Sequence, residues 1–320
     1  MTEPADLVSR AAAGDRRSIS RLVSLVEDGR PAARPRQEEA MAALAAATRR
    51  RGGVVGVTGS PGSGKSTLLG GVARAMLAGD PALTLAMVAV DPSSPTSGGA
   101  LLGDRTRMRP DTSDRLFVRS QASSTSLGGL APTTYLVTAV LARLFDVVLV
   151  ETVGIGQSEA DVRHLATDVY LVVGPLAGDE LQFLKAGIIE VPDAFVVSKW
   201  DEPAARRTYH QLRATLWLAR PTDHGDIPVH RTSAKDGHGI ADLAADVVRR
   251  ARRQLGTVHV LPAARYFFRR WVAEEWGRFG LRLLDELGGA DLLVTGDVGL
   301  SAAQARFEAA LPVQARRPGG

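Results

Sequence analysis

The 320-residue chain has no cysteine. Disulfides, thiolate nucleophiles, thiolate zinc sites and iron–sulfur clusters are excluded with it. No apolar run reaches the roughly 18–20 residues that a membrane helix needs. Residues 1–10 carry acids and lack a hydrophobic signal core, so a cytoplasmic protein is expected rather than a secreted one. Lysine is scarce, occurring only at 65, 185, 199 and 235, and arginine carries the rest of the positive charge. An ammonium is a compact point charge and a guanidinium a planar fork. Positions that keep Lys in so Arg-rich a chain are therefore places where an ammonium is needed. Neither sign of charge dominates, with a net charge of +4. The basic runs at 49–51 and 249–253 are short and lack interleaved aromatics. They read as solvated helix faces, not as a nucleic-acid patch.

What is present is a globular composition, 45% hydrophobic and 23% charged, which excludes wholesale disorder. Residues 15–28 place Ile19, Leu22, Val23, Leu25 and Val26 at helical spacing, with Asp15 as a candidate cap. Residues 29–37 hold two prolines and read as a linker, and 38–50 read as a second helix. The period then changes. Short, mostly Val-rich apolar runs at 54–57, 83–90, 116–118, 147–150, 169–173 and 194–197 are separated, for the most part, by helical segments. That pattern predicts an α/β fold, with a mostly parallel sheet covered by helices on both faces. Between 266 and 279 stand Tyr266, Phe267, Phe268, Trp271, Trp276 and Phe279. Two readings of this segment stand: a terminal helix packed on the core, or an arm that buries its aromatics against a second subunit. The expected organisation is an N-terminal helical segment (1–50), a nucleotide-binding domain (51–255), and a C-terminal helical segment (256–320) suited to dimerisation.

The strand at 54–57 runs into Gly59-Ser60-Pro61-Gly62-Ser63-Gly64-Lys65-Ser66, then Thr67 and an amphipathic helix. This is the phosphate-binding loop in its required strand–loop–helix context. Its glycines let successive N–H groups point at a phosphate, and the helix N-terminus favours negative charge. Lys65 is expected to reach the β- and γ-phosphates and the Ser66 hydroxyl to ligate Mg²⁺. The metal also calls for carboxylates. Asp91 and Glu151 end apolar strands, and Asp104 lies in a loop; these three are the candidate metal acids. Glu151 opens Glu-Thr-Val-Gly, so the N–H of Gly154 is expected to sense the γ-phosphate and order the loop behind it.

Base recognition is read from Ser198-Lys199-Trp200-Asp201, where GTPases commonly carry Asn-Lys-x-Asp. Asp201 would accept from guanine N1–H and the exocyclic amine, and the Lys199 stem would pack on the base. Ser198 replaces the usual Asn, which should weaken a contact or its loop support by about 1 kcal/mol. Thr232-Ser233-Ala234-Lys235 is similar to the loop whose backbone N–H meets guanine O6, so Ser233 and Ala234 complete the expected GTP/GDP site.

With these motifs in hand the chain resembles the MeaB/ArgK-type P-loop GTPases, the family that includes the methylmalonic aciduria type A protein. The resemblance rests on GVTGSPGSGKSTL, VAVDPSSPTSGGALLGDRTRM, VVLVETVGIGQSEADV and GPLAGDELQFLKAGIIEVPDAFVVSKWDE, and spans about residues 6–250. It implies a P-loop NTPase fold with leading helices and a C-terminal helical arm. It also implies a homodimeric chaperone that gates cofactor loading into an adenosylcobalamin-dependent acyl-CoA mutase and protects it. Asp91, Asp104 and Glu151 then match the family's acids around the metal, and Asp179, Gln182 and Lys185 match a mobile segment that couples nucleotide state to the mutase. Gln157 and Lys185 are the candidates for positioning the attacking water. The C-terminal part from about 256 departs from the expected arm. Three rivals stand beside this reading. A nickel-delivering GTPase needs a Cys/His cluster this chain lacks. An ATP-dependent kinase of a transport system has Asp201 against it. The third is a nucleotide-binding scaffold with little turnover. No membrane or nucleic-acid partner is expected.

Overall fold

The computed structural model describes residues 3–48, 52–91, 113–123, 130–152, 157–175, 191–220, 225–253, 260–295 and 299–312. Two compact units result. One holds residues 51–130 and 145–258, the other residues 1–50, 131–144 and 259–320.

The first unit is built on a seven-stranded sheet. Its strands are β1 (Gly53–Thr58), β2 (Leu85–Asp91), β3 (Leu116–Ala122), β4 (Val147–Thr152), β5 (Asp168–Val173), β6 (Ala194–Val197) and β7 (Val229–Arg231). The order is β3-β2-β4-β1-β5-β6-β7, and every pairing is parallel. Each apolar run read from the sequence is a strand, and β1, β2 and β4 are buried along their whole length. This is why they read as continuous rather than alternating: both faces are covered. On one face Val55, Val57, Met87, Leu149 and Val172 pack with Leu68, Leu69, Val72 and Met76 of α4 (Lys65–Gly79) and with Leu243 and Val247 of α8 (Ile240–Arg253). On the other face Leu171, Val173, Phe195 and Val197 pack with Leu212 and Leu216 of α7 (Pro203–Ala219). There too α6 (Gln157–Leu165) lies so close that a Cβ at Gly56 would stand 2.5 Å from Val162. Each such Val or Leu contributes about 1.5–3 kcal/mol by leaving water.

The second unit is helical: α1 (Pro4–Ala12), α2 (Arg16–Glu27), α3 (Arg34–Ala47), α5 (Pro132–Leu144), α9 (Val260–Glu286), α10 (Ala290–Leu293) and α11 (Gly299–Ala310). Asp15 caps α2 as expected, accepting from Ser18 N at 3.0 Å. The expected linker to residue 37 is shorter in the structure. A 3-10 turn at Pro31–Ala33 leads straight into α3, whose first turn contains Pro35. Proline is tolerated there because the first helical N–H groups have no partner to lose. Phe267 and Phe268 are fully buried inside this unit and Trp271 nearly so, while Phe279 is exposed. Phe267 stacks on Tyr135 of α5 at 5.6 Å, and Trp276 lies 5.3 Å from Phe307 of α11. The Arg34 guanidinium sits 5.2 Å over the Trp271 ring and pairs with Glu308. Gly277, at φ 55° and ψ −140°, breaks α9 into two arms. Only glycine reaches that region without strain, and the bend lets Arg269 pair with Asp285 at 3.2 Å.

Candidate nucleotide site

In a parallel sheet all strand C-termini open on one edge, and there the candidate residues gather. The loop 59–64 leaves β1, Asp91 ends β2, Glu151 is the next-to-last residue of β4, and Ser198 follows β6. Pairing sets Ala89 opposite Glu151 and Val57 opposite Glu151. Asp91, two residues beyond Ala89, therefore points to the same face as Glu151, the face that α4 covers. The sheet order β2-β4-β1 puts both acids beside the phosphate loop.

The loop's conformation follows from its glycines. Gly59, Gly62 and Gly64 have φ of +144°, +82° and +86°. Gly59 also passes so close to β5 that a Cβ there would meet Val172 O at 2.1 Å. Gly64 caps α4, so Lys65 and Ser66 form its first turn. Lys65 is buried, and its Nζ donates to Gly59 O at 2.7 Å and to Ser60 O at 2.8 Å, bending the side chain over the loop. The Ser66 hydroxyl donates to Glu151 Oε1 at 2.7 Å. The hydroxyls of Ser60 and Ser63 are buried without a hydrogen-bond partner among the described residues.

Next to this loop is a cavity of about 290 Å³, walled by Gly64, Thr67, Ser198, Lys199, Asp201 and Ala234. Two loops make its far side. Ser198 Oγ donates to Ser63 O at 2.6 Å, and a longer contact reaches Val173 O at 3.3 Å. The residue in place of Asn thus ties the base loop to the phosphate loop. Lys199, at φ 51°, is the one non-glycine residue with positive φ among the described residues. Asp201 Oδ1 accepts from Ser233 Oγ at 2.7 Å, and Lys235 Nζ lies 3.7 Å from Oδ2. Lys235 is exposed, so this pair adds at most about 1 kcal/mol. The Ser233 N–H is consumed by His238 O, whereas the Ala234 N–H has no protein acceptor among the described residues.

Of the residues expected from the sequence, Gly59, Ser60, Pro61, Gly62, Ser63, Gly64, Lys65, Ser66, Thr67, Asp91, Glu151, Ser198, Lys199, Asp201, Ser233 and Ala234 all fall on this one sheet edge. Asp104, Gly154, Asp179, Gln182 and Lys185 lie outside the described residues, and Gln157 is described only as the first residue of α6. Leu68 and Glu202 also line the cavity and carried no sequence signal. Trp200, which reads in the sequence only as the spacer of its motif, contacts the second base loop.

No group of three His, Cys, Asp or Glu gathers to hold a metal among the described residues. The donor set of one hydroxyl and two buried carboxylates suits Mg²⁺, which keeps several waters and takes phosphate oxygens as ligands. The half-buried Ser66 hydroxyl against the buried Glu151 carboxylate passes that fit.

A parallel sheet with a Gly-rich loop, a following Lys-Ser and an adjoining cavity is the arrangement of a P-loop nucleotide triphosphatase. Residues 19–266 match the family model described as "Methylmalonyl Co-A mutase-associated GTPase MeaB". The chain belongs to the MeaB family of GTPases. It is 38% identical over 250 residues to the GTPase ArgK of Escherichia coli K12, covering 75% of this chain and 73% of that one. It is 44% identical over 215 residues to a Pyrococcus abyssi protein provisionally named a GTPase, covering 67% of this chain and 64% of that protein. The chain thus spans just under two thirds of that archaeal relative. Among solved structures, that of an LAO/AO transport system kinase is similar in fold, with a TM-score of 0.58 and 24% identity, covering 90% of this chain and 98% of that one.

Proposed function

We propose that the protein hydrolyses GTP with Mg²⁺. We further propose that it couples its nucleotide state to an adenosylcobalamin-dependent acyl-CoA mutase of the methylmalonyl-CoA type, gating cofactor loading and protecting that enzyme. A cytoplasmic homodimer is the working form. The observation that carries the reading is the continuity of the phosphate loop with a cavity whose wall holds the Asp201 carboxylate and the unused Ala234 N–H. That pair complements guanine: the carboxylate accepts from N1–H and the exocyclic amine, and the N–H donates to O6. Adenine offers the reverse polarity. The name of the family supports the mutase as partner.

The chemistry asked of the chain is mostly positioning. The loop amides and the α4 N-terminus bind the phosphates, and the Lys65 ammonium, already inside the loop, meets the charge that builds on them. Ser66, Asp91 and Glu151 would hold and orient a Mg²⁺ shell, which when bound would supply charge neutralisation at the phosphates. Asp104 would join the acids around the metal, Gln157 or Lys185 positions the attacking water, the Gly154 N–H senses the γ-phosphate, and the segment bearing Asp179, Gln182 and Lys185 carries the signal to the mutase.

Phosphate release should be measured with Mg²⁺ and GTP or ATP, with and without methylmalonyl-CoA mutase. GTP-selective release stimulated by the mutase is expected. A preference for ATP would remove the guanine assignment, and turnover indifferent to the mutase would remove the partner. Lys65→Ala should lower turnover at least ~1000-fold, because a charge-neutralising group in phosphoryl transfer is worth about that much.

A further inference from the structure

Resting on the guanine reading, the geometry points to Trp200 as the positioning residue for base recognition. The substitution at 198 makes such a residue necessary. The Ser198 hydroxyl is engaged with Ser63 O and Val173 O, and it makes no hydrogen bond to residues 232–239. The two base loops are joined through Trp200 and its neighbours instead. Its backbone N–H donates to Thr232 O at 2.9 Å. Its indole lies nearly parallel to the His238 ring, 15° apart with centroids at 6.5 Å. The Arg231 guanidinium stands 5.4 Å over the indole and 5.7 Å over Tyr209, and Tyr209 meets the indole edge-on at 5.8 Å. One ring therefore touches the end of β7, the far side of the second base loop, and α7.

Trp200 also sits between the two residues that would face the base. On its N-terminal side is Lys199, held at φ 51°, a left-handed conformation that strains a side chain with a Cβ. On its C-terminal side is Asp201, bonded to Ser233. Anchoring the ring fixes the backbone on both sides at once. It sets Lys199 toward Gly64, where a Cβ would stand 3.9 Å from the Lys199 Cε. It also sets the spacing between the Asp201 carboxylate and the Ala234 N–H. Recognition that a longer Asn side chain would brace from inside the site is braced here from outside, by an aromatic and cationic stack.

Steady-state kinetics with GTP, ITP and ATP on the full chain tests this. ITP lacks the exocyclic amine from which Asp201 would accept. Trp200→Leu should raise the KM for GTP about tenfold with kcat within about twofold, and should shrink the preference for GTP over ITP by a similar factor. Trp200→Phe should restore most of both. If Trp200→Leu does not fold, Arg231→Gln and His238→Ala, both at exposed positions, should each give part of the effect at an unchanged thermal midpoint. A folded Trp200→Leu, or the Arg231→Gln/His238→Ala pair, with wild-type KM and wild-type GTP-over-ITP preference would overturn the inference, as would a loss confined to kcat. A wild-type protein that does not prefer GTP to ATP would instead overturn the guanine reading beneath it.

Discussion

On the proposed guanine reading, Asp201 selects the base and Ser198, bonded to Ser63 O, braces the loop beside it. An Asn at 201 keeps the shape of Asp but turns one acceptor into a donor. Asp201→Asn should therefore weaken GTP binding about 10–100-fold, the scale of losing two charge-assisted hydrogen bonds, and should raise affinity for XTP, whose C2 carbonyl replaces the amine. Competition binding with both nucleotides checks this. Ser198→Ala removes the 2.6 Å bond to Ser63 O and leaves that carbonyl buried. A loss of about 1 kcal/mol, or roughly fivefold in GTP affinity, is expected, with kcat little changed. The place of these residues beside the phosphate loop is legible in the amino-acid sequence, because the motif follows a short apolar strand in the expected order. What Ser198 bonds to, and that Trp200 has any partner, depends on chain segments far apart in sequence.

The elements are held by ties that no local pattern announces. Asp246 on α8 accepts from Tyr170 of β5 at 2.8 Å, from Arg250 at 3.1 Å, and from Arg249; His230 of β7 stands 3.0 Å away. Burial pushes the Asp246 carboxyl up, but the hydrogen bonds from His230, Tyr170 and Arg249 and the charge of Arg250 outweigh it and hold it well below the usual carboxylate range. Its contribution to stability is therefore complete above the unfolded carboxylate range, near pH 4, and is lost as pH falls below it. Asp246→Asn should lower stability by about 3 kcal/mol at pH 7, since it takes the charged acceptor from buried Tyr170 and leaves half-buried Arg250 with Asp168 as its remaining carboxylate, 2.9 Å away. The gap between the variant and the wild type should narrow steadily as pH falls below about 4, which denaturant titration at several pH values measures. The strands are legible because burial on both faces leaves a continuous Val-rich run. The start of α3 is not: two prolines close together look like a linker, yet one of them occupies a helix's first turn.

For the molecule as a whole, the unexpected finding is where α5 belongs. It follows β3 and precedes β4 in sequence, but it is part of the helical unit, where Tyr135 stacks on Phe267. That unit is assembled from three separate stretches of chain, and α9 and α11 supply its aromatic core. Removing residues 260–320 should therefore leave the apolar faces of α1–α3 and α5 uncovered and drive aggregation. Light scattering after size exclusion measures this, and a monodisperse truncated chain with full helical content would contradict it. By itself the sequence determined the phosphate loop, the strand set, the parallel α/β class and the base motif. Each of these is a contiguous pattern whose physics is local: glycine conformations, buried strands, a helix N-terminus. Only the tertiary structure decided what meets what. It set Asp91 beside Glu151 through strand register, turned Lys65 onto the loop carbonyls, closed the cavity between Thr67 and Asp201, and buried Phe267 and Phe268 within their own chain. Most of these are relations between residues far apart along the chain, and packing alone fixes them.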